Sequence, residues 1–284
     1  MRIGSNLSGL DLTAQHNLLR AASQLSQSGE RLSTLRRINR GADDPAGLIA
    51  AQRLEAELTA LEAASNNASR GVSLVHIADS ALGSVSGLLD TIRGNVVEAA
   101  QSGLSEDTLG TNQIEIDAAL DAINRIGSYS RRLIPSDTLT FVLSPDVNDT
   151  ATLNVPRIDT ATLGGETGHL SDLASGGSAS LAQGDFAKTI EILDAAQEQV
   201  LQSRAEFGAF EKYTLESSQT VLGRMEENVS SALSEIRDTD VALESSRFVR
   251  AQILFSAATS TLAAMGQRRS MVLGLLGTMG NPDR

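Results

Sequence analysis

Three histidines, His16, His76 and His169, are the first residues to weigh for metal or acid–base chemistry. They stand far apart and form no paired-histidine motif, so surface or hydrogen-bonded histidines account for them better than zinc ligands do. Asp43-Asp44 has the make-up of a paired-carboxylate site. Its place directly before Pro45 suits a helix cap instead. Asp146-Val-Asn-Asp149 offers oxygen donors for calcium but lacks the glycine and distal glutamate of a calcium loop, and it reads as a turn. The chain has no cysteine, which excludes disulfides, thiolate metal sites and a cysteine nucleophile. Lys188 and Lys212 are the only lysines, which argues against Schiff-base chemistry. No phosphate loop or nucleophile elbow is present. The residues therefore point away from an enzyme, and no cofactor or metal is expected.

The elements around these residues are dominated by heptad spacing. From Leu61, steps of three and four pick out Leu61, Ala64, Ala68, Gly71, Val75, Ala78, Leu82, Val85, Leu89, Ile92, Val96 and Ala99. A helix places that set on one stripe. At 1.5 Å per residue the segment spans roughly 58 Å, which predicts an elongated protein. Asp44 and Pro45 set the start of a helix over 45–101, with Gly103 and Ser105 beyond its end. A second helix is read over 106–126, with Ile116, Leu120 and Ile123 on one face. Residues 135–177 change texture: Thr138–Leu143 and Ala151–Val155 read as two strands around a turn, and Gly164–Gly177 reads as loop. A third helix is read over 185–236, where Leu193, Val200, Phe207, Thr214 and Val221 fall seven apart. The fold class is mainly α: long antiparallel coiled-coil helices in an elongated rod with a small β-hairpin element.

Both chain ends carry the same signal. Leu18, Ala21, Leu25, Ser28, Leu32 and Leu35 keep a strict three–four spacing, continued upstream by Ile3, Leu7, Leu10 and Ala14. Phe248, Ala251, Phe255, Ala258, Leu262, Met265, Val272 and Leu276 form a seam on the last helix. These ends are basic: residues 1–40 hold six arginines against Asp11 and Glu30, and residues 247–284 hold five against Asp283. The net charge of −12 therefore sits in the middle of the chain, which argues against nucleic acid as the partner. An amphipathic helix must bury its stripe. Two paired termini bury one stripe each, so further copies of the chain are one way to cover the rest; docking on the middle helices is the other. No run of ~20 apolar residues is seen, and no membrane span is expected. No secretory signal is recognised.

Arg31-Leu-Ser-Thr34, Arg37-Ile-Asn39 and Ala42-Asp-Asp-Pro-Ala-Gly47 resemble the N-terminal signature of bacterial flagellins. Ile236-Arg-Asp-Thr-Asp240, Ala242, Glu244, Ala251-Gln-Ile-Leu254, Gln267, Leu273 and Leu275-Leu276 resemble the C-terminal one. Thr140-Phe-Val-Leu143 and Asp159-Thr-Ala-Thr-Leu-Gly164 are similar to the family's hairpin stretch. The resemblance implies a subunit of the flagellar filament in a short form without the variable outer domains. It implies inner-core helices over 1–35 and 237–284, a connecting spoke over 36–44 and an outer-core domain over 45–236. The assembly seam would be Leu18, Leu25, Leu32, Phe248, Phe255, Leu262, Met265, Val272 and Leu276. The spoke and helix cap would be Arg37, Asn39, Asp43, Asp44 and Pro45. Implied partners are further copies of the chain, an export chaperone holding the C-terminal helix, and hook-associated and cap proteins. Export through the flagellar type III channel to an extracellular filament is implied as well. A hook–filament junction protein shares the terminal helices and is the near alternative; a helical coiled-coil adaptor is the distant one.

The sequence departs from that pattern at Leu35, where the family has glycine, and at Gly266 and Arg269, where it has asparagine and proline. Leu89-Asp-Thr-Ile-Arg-Gly-Asn95 aligns with a segment that many flagellins present to an animal innate immune receptor. Thr91 replaces its first arginine, Gly94-Asn95 replaces a Glu-Leu pair, and Arg93 alone matches. Weak or absent receptor activation is expected.

Overall fold

In the computed structural model, residues 3–101 and 105–279 are described, with the side chains of 3–11, 269 and 272–279 outside the described set. Gly103, Val272 and Leu276 are thus outside the described residues or side chains. The helices are α1 (Ile3–Thr34), α2 (Pro45–Ala99), α3 (Glu106–Leu133), α4 (Phe186–Phe210), α5 (Glu216–Arg237) and α6 (Val241–Met279). A π-helical segment, Glu211–Leu215, joins α4 to α5. Four strands, β1 (Thr138–Val142), β2 (Thr150–Asn154), β3 (Gly164–Gly165) and β4 (Gly168–His169), lie between α3 and α4. The chain divides into a central unit, Glu57–Asn228, and a terminal unit made of Met1–Ala56 and Val229–Arg284.

The core of the central unit is the α2 stripe. All twelve residues from Leu61 to Ala99 that the heptad spacing picks out are buried. Ala68 and the stripe residues from Val75 to Ala99 join Ile116, Leu120 and Ile123 of α3 and Ile192, Leu193, Val200 and Phe207 of α4 in one apolar cluster. Beside the stripe, polar pairs tie α2 to the later helices: His76 to Glu211 at 2.7 Å, Asp79 to Arg204 at 2.8 Å, Ser86 to Gln197 at 2.8 Å, Ser69 to Gln219 at 3.1 Å, and Arg93 to Asp194. Residue numbers rise on one partner as they fall on the other, so the helices run antiparallel.

The α4–α5 seam departs from the sequence reading after Phe207. The sevenfold spacing points to Thr214 and Val221, yet Leu215 and Leu222 are the buried residues, and Val221 is 51% exposed. The π segment takes up one extra residue in its turn and moves the inward face on by one position.

Helix α3 begins at a cap, with the Thr108 N–H donating to Ser105 Oγ at 3.3 Å and Glu106 and Asp107 in its first turn. It continues to Leu133, seven residues past the expected end at Ile126. Gly127 does not stop the helix. It makes room for the chain beyond the hairpin: a Cβ there would sit 1.6 Å from the Ile158 carbonyl oxygen. Ile134, which precedes Pro135, leaves helical geometry and ends the helix.

Strands β1 and β2 pair antiparallel with Leu139 opposite Leu153 and Phe141 opposite Ala151. Their threonines face out while Phe141 and Leu153 are buried, the two-residue alternation of a strand covering a core. Phe141 packs against Phe210, with ring centroids 5.8 Å apart. The stretch expected as loop from Gly164 holds the short β3–β4 pair and a 3₁₀ turn, Leu170–Leu173. Buried Gln113 of α3 fixes that stretch, donating to the Leu173 carbonyl and accepting from the Leu181 N–H, both at 2.9 Å.

In the terminal unit α1 packs on α6. Two helices, α2 and the Val241–Arg268 part of α6, are long and apolar enough to cross a membrane by length and composition alone. Polar and charged residues interrupt both helices, and alanine-rich seams supply much of their apolar content.

Candidate self-assembly surface

The connectors at the base of α1 and α6 explain most of the signature residues. Asp43 accepts from the backbone N–H groups of Asn39 and Arg40 at 3.2 and 3.0 Å, and from Gln27 of α1 at 3.4 Å. Those backbone donors, Arg40 first, hold its carboxyl below the ordinary aspartate value. Asp44 caps α2 by accepting from the Gly47 N–H at 2.9 Å, and Pro45 takes the first helical position. Gly47 must be small, because a Cβ would lie 2.7 Å from Ile38 Cδ1, and Ile38 is buried beneath it. Asn39 Nδ2 donates to the Arg36 carbonyl at 3.2 Å. Arg40 reaches back to Glu30 of α1 at 2.9 Å.

The second connector runs beside the first. The Arg37 N–H donates to the Arg237 carbonyl at 2.7 Å, and the Thr239 N–H donates to the Leu35 carbonyl at 3.0 Å. Arg37 therefore acts in this pairing through its backbone. Asp238 accepts from Ser234 and Arg237, and these contacts, Ser234 first, lower its pKa. Asp240 caps α6 by accepting from the N–H groups of Ala242 and Leu243 at 3.0 Å. Leu35 takes a left-handed φ of 56°, which is where a glycine is preferred at a helix end.

The seam itself is built of small residues. Ala14, Ala21 and Ser28 of α1 and Ala251 of α6 are buried, while Leu18, Leu25, Leu32, Phe248, Phe255, Leu262 and Met265 are only half-buried. The Phe248 ring lies over Gly29. Large apolar side chains remain outside the seam: Leu12 is 59% exposed, Leu19 67%, Ile253 63% and Met271 63%. A groove of about 640 Å³ runs between α1 and α6, lined by Ala14, Asn17, Ala21, Gln24, Leu254 and Met265 among others. A lone pair of helices with this pattern leaves apolar area in water, at about 25 cal/mol per Å².

Glu244 and Arg31 are signature residues whose meeting the sequence did not reveal. Glu244 Oε2 lies 3.9 Å from Arg31 Nη1 and 3.2 Å from Arg247 Nη1, in a side chain 4% exposed. The available signal was a charge one heptad before Ala251, at a seam position.

The remaining candidates lie elsewhere. Thr91 and Arg93 are exposed on α2 in the central unit; Thr91 Oγ1 donates to the Gly87 carbonyl of its own helix, and Arg93 is paired with Asp194. Asp146 forms a turn, accepting from the Asn148 N–H at 3.0 Å. His16 lies on α1 of the terminal unit, while His76 and His169 belong to the central unit.

These features define a helical structural protein whose chain ends pair through small residues and keep an apolar surface. Residues 6–130 match the bacterial flagellin N-terminal helical region, and residues 190–276 match the bacterial flagellin C-terminal helical region. The chain is 30% identical over 306 residues to a flagellin of Bacillus subtilis (strain 168), covering 97% of this chain and 100% of that protein. It is 28% identical to the flagellar filament 33 kDa core protein of Treponema phagedenis, with the same coverage. A solved flagellar hook-associated protein from Vibrio parahaemolyticus shares the fold, with a TM-score of 0.60 at 16% identity, over 69% of this chain and 100% of that one. The chain belongs to the bacterial flagellin family, in a short form without a variable domain between α3 and α4.

Proposed function

We propose that this protein is the structural subunit of a bacterial flagellar filament, polymerising through its terminal unit and performing no catalysis. The observation that carries this reading is the α1–α6 pair: a seam of alanine and serine with leucines and phenylalanines half-buried beside it, and more apolar side chains outside. Neighbouring copies bury what the pair leaves in water. In this reading Leu18, Leu25, Leu32, Phe248, Phe255, Leu262, Met265, Val272 and Leu276 form the assembly surface, and residues 36–44 form the spoke. The subunit leaves the cell through the flagellar export channel without a cleaved signal, held by a chaperone beforehand, and meets hook-associated and cap proteins at the filament ends. The Thr91 substitution and the Arg93–Asp194 pair support weak activation of the animal innate receptor.

Negative-stain electron microscopy of purified protein in a kosmotropic salt, with and without sheared seeds, tests the assembly reading. Long uniform filaments are expected. Short stubs or discrete particles under both conditions would reject it in favour of a junction protein or adaptor.

A further inference from the structure

The seam between α1 and α6 nearly repeats itself. On α1, Ala14, Ala21 and Ser28 fall seven apart, with Leu18, Leu25 and Leu32 beside them. On α6, the small residues Ala251 and Ala258 fall seven apart, their row ending at the larger Met265, and Phe248, Phe255 and Leu262 likewise fall seven apart. A slide of one heptad, about 10.5 Å along the axis, brings small residues against small and large against large again. Apolar packing of this kind separates one register from the next only weakly, and the connector hydrogen bonds Arg37–Arg237 and Thr239–Leu35 tie together only the base of the pair, leaving the register along the helices to the seam.

Glu244 breaks the repeat. It continues the Ala251–Ala258 row one heptad upstream, yet it is charged and 3% exposed. Its carboxylate faces Arg31 across the seam and Arg247 on its own helix. The Arg31 side chain is 19% exposed, and its buried Nε has no hydrogen-bond partner among the described residues. A one-heptad slip that keeps Glu244 over α1 carries it from Arg31 towards Gln24. Glu244 then keeps only Arg247 of its own helix, while Arg31 stays in the seam without a facing carboxylate, a loss that a largely buried guanidinium penalises. A single charged seam position is enough to select one register among several.

We propose that Glu244, held by Arg31, is the positioning residue that sets the axial register of α1 on α6. Through that register it decides which apolar faces neighbouring copies meet. The inference rests on the reading of the terminal unit as the assembly surface.

The chain has no cysteine, so introduced pairs report register without background. Gln24 and Leu254, and one heptad further along each helix Asn17 and Thr261, all line one groove between α1 and α6. Gln24→Cys with Leu254→Cys, and Asn17→Cys with Thr261→Cys, read the native register. Gln24→Cys with Thr261→Cys, and Asn17→Cys with Leu254→Cys, read slips in either direction. Each pair is placed in the full-length chain and offered to wild-type seeds. A short bismaleimide is added, and intrachain cross-links are quantified by mass spectrometry in the pellet and the soluble fraction.

With Glu244 present, native cross-links exceed slipped ones by roughly tenfold or more. Glu244→Leu, which fills the seam without charge, brings the two within about threefold and reduces incorporation into seeds by a similar factor. The exchange of Arg31→Glu with Glu244→Arg restores the native ratio. An unchanged ratio in Glu244→Leu overturns the proposal, as does an exchange that fails to restore it. A wild-type chain that never joins seeds rejects the filament reading instead, and the soluble fraction still reports the register.

Discussion

The two units of this chain use the same heptad language for different ends. The central unit places large side chains on its stripe and buries them: Leu61, Leu82, Leu89, Ile92, Phe207 and Leu215 are each under 2% exposed or nearly so. The terminal unit buries mainly alanine, and its leucines and phenylalanines stay half-open. Among the described residues, its fully enclosed apolar members are Ala14, Ala21, Ile38, Ala51, Leu233 and Ala251. A fully buried leucine contributes about 1.5–3 kcal/mol, far more than an alanine. One unit is thus finished as a fold. The other, on the proposed assembly, is finished when more copies arrive.

The strongest way to break this comparison is to charge the open seam. Leu262→Asp should abolish filament formation in a seeded sedimentation assay, because assembly would bury a carboxylate with no partner. The central unit should keep its thermal transition by circular dichroism. Filaments of normal yield from this variant would remove α6 from the assembly surface. The converse is to strike the finished unit. Gly127→Ala forces a methyl group into the Ile158 carbonyl and should cost about 3 kcal/mol in urea unfolding of the central unit, in line with overpacking at a rigid site. A loss below half of that would mean the hairpin exit yields more easily than the geometry implies.

Acid should separate the units more gently. Asp43 and Asp238 both belong to the connectors of the terminal unit, and both are held below the ordinary value of 3.8. Carboxylates with lowered folded-state pKa values contribute stability above the unfolded value and lose it as pH falls through the folded one. Hydrogen exchange of residues 35–44 and 237–241 should therefore quicken as pH drops below about 3.8, after correction for intrinsic exchange. Asp43→Asn should raise exchange in 39–43 at neutral pH and flatten its acid dependence. An acid dependence identical to wild type would place the sensitivity elsewhere. The smallest effect concerns Leu35. Leu35→Gly removes the left-handed penalty at φ 56° and should stabilise the connector by up to ~1 kcal/mol, partly offset by the extra freedom of glycine when unfolded. A destabilised terminal unit would show that the leucine side chain has a packing role that outweighs the strain.

Legibility in the sequence followed the physics of each region. The α2 stripe could be read to its last residue because one uninterrupted pattern meets one continuous core. Helix α3 runs to Leu133 rather than ending at Ile126, and the Gly127 that lies in between serves close approach, a role that looks the same in sequence as ending a helix. The β3–β4 pair hid in Gly164–Gly177 because two-residue strands carry no alternation to detect. Asp44 and Pro45 announced a cap through local chemistry and formed one. The Arg31–Glu244 pair could not be read, because two charges more than two hundred residues apart gain meaning only when α1 and α6 are laid side by side.

The π segment at 211–215 has a consequence for how this gene can change length. Deleting one residue there would turn an irregular helix into a regular one, an edit that local propensity favours. Because the π turn already absorbs that residue, later side chains would keep their direction, with Leu215 and Leu222 falling seven and fourteen positions after Phe207. A deletion in the regular helix on either side would instead turn everything beyond it by about 100° and carry Leu222 out of its buried position. The extra residue is slack held within one turn, and it leaves the inward faces of the two stretches of helix aligned. Single-residue losses are therefore tolerable at the π turn and costly in the regular helix on either side, so the apparently spare amino acid marks where this helix can change length.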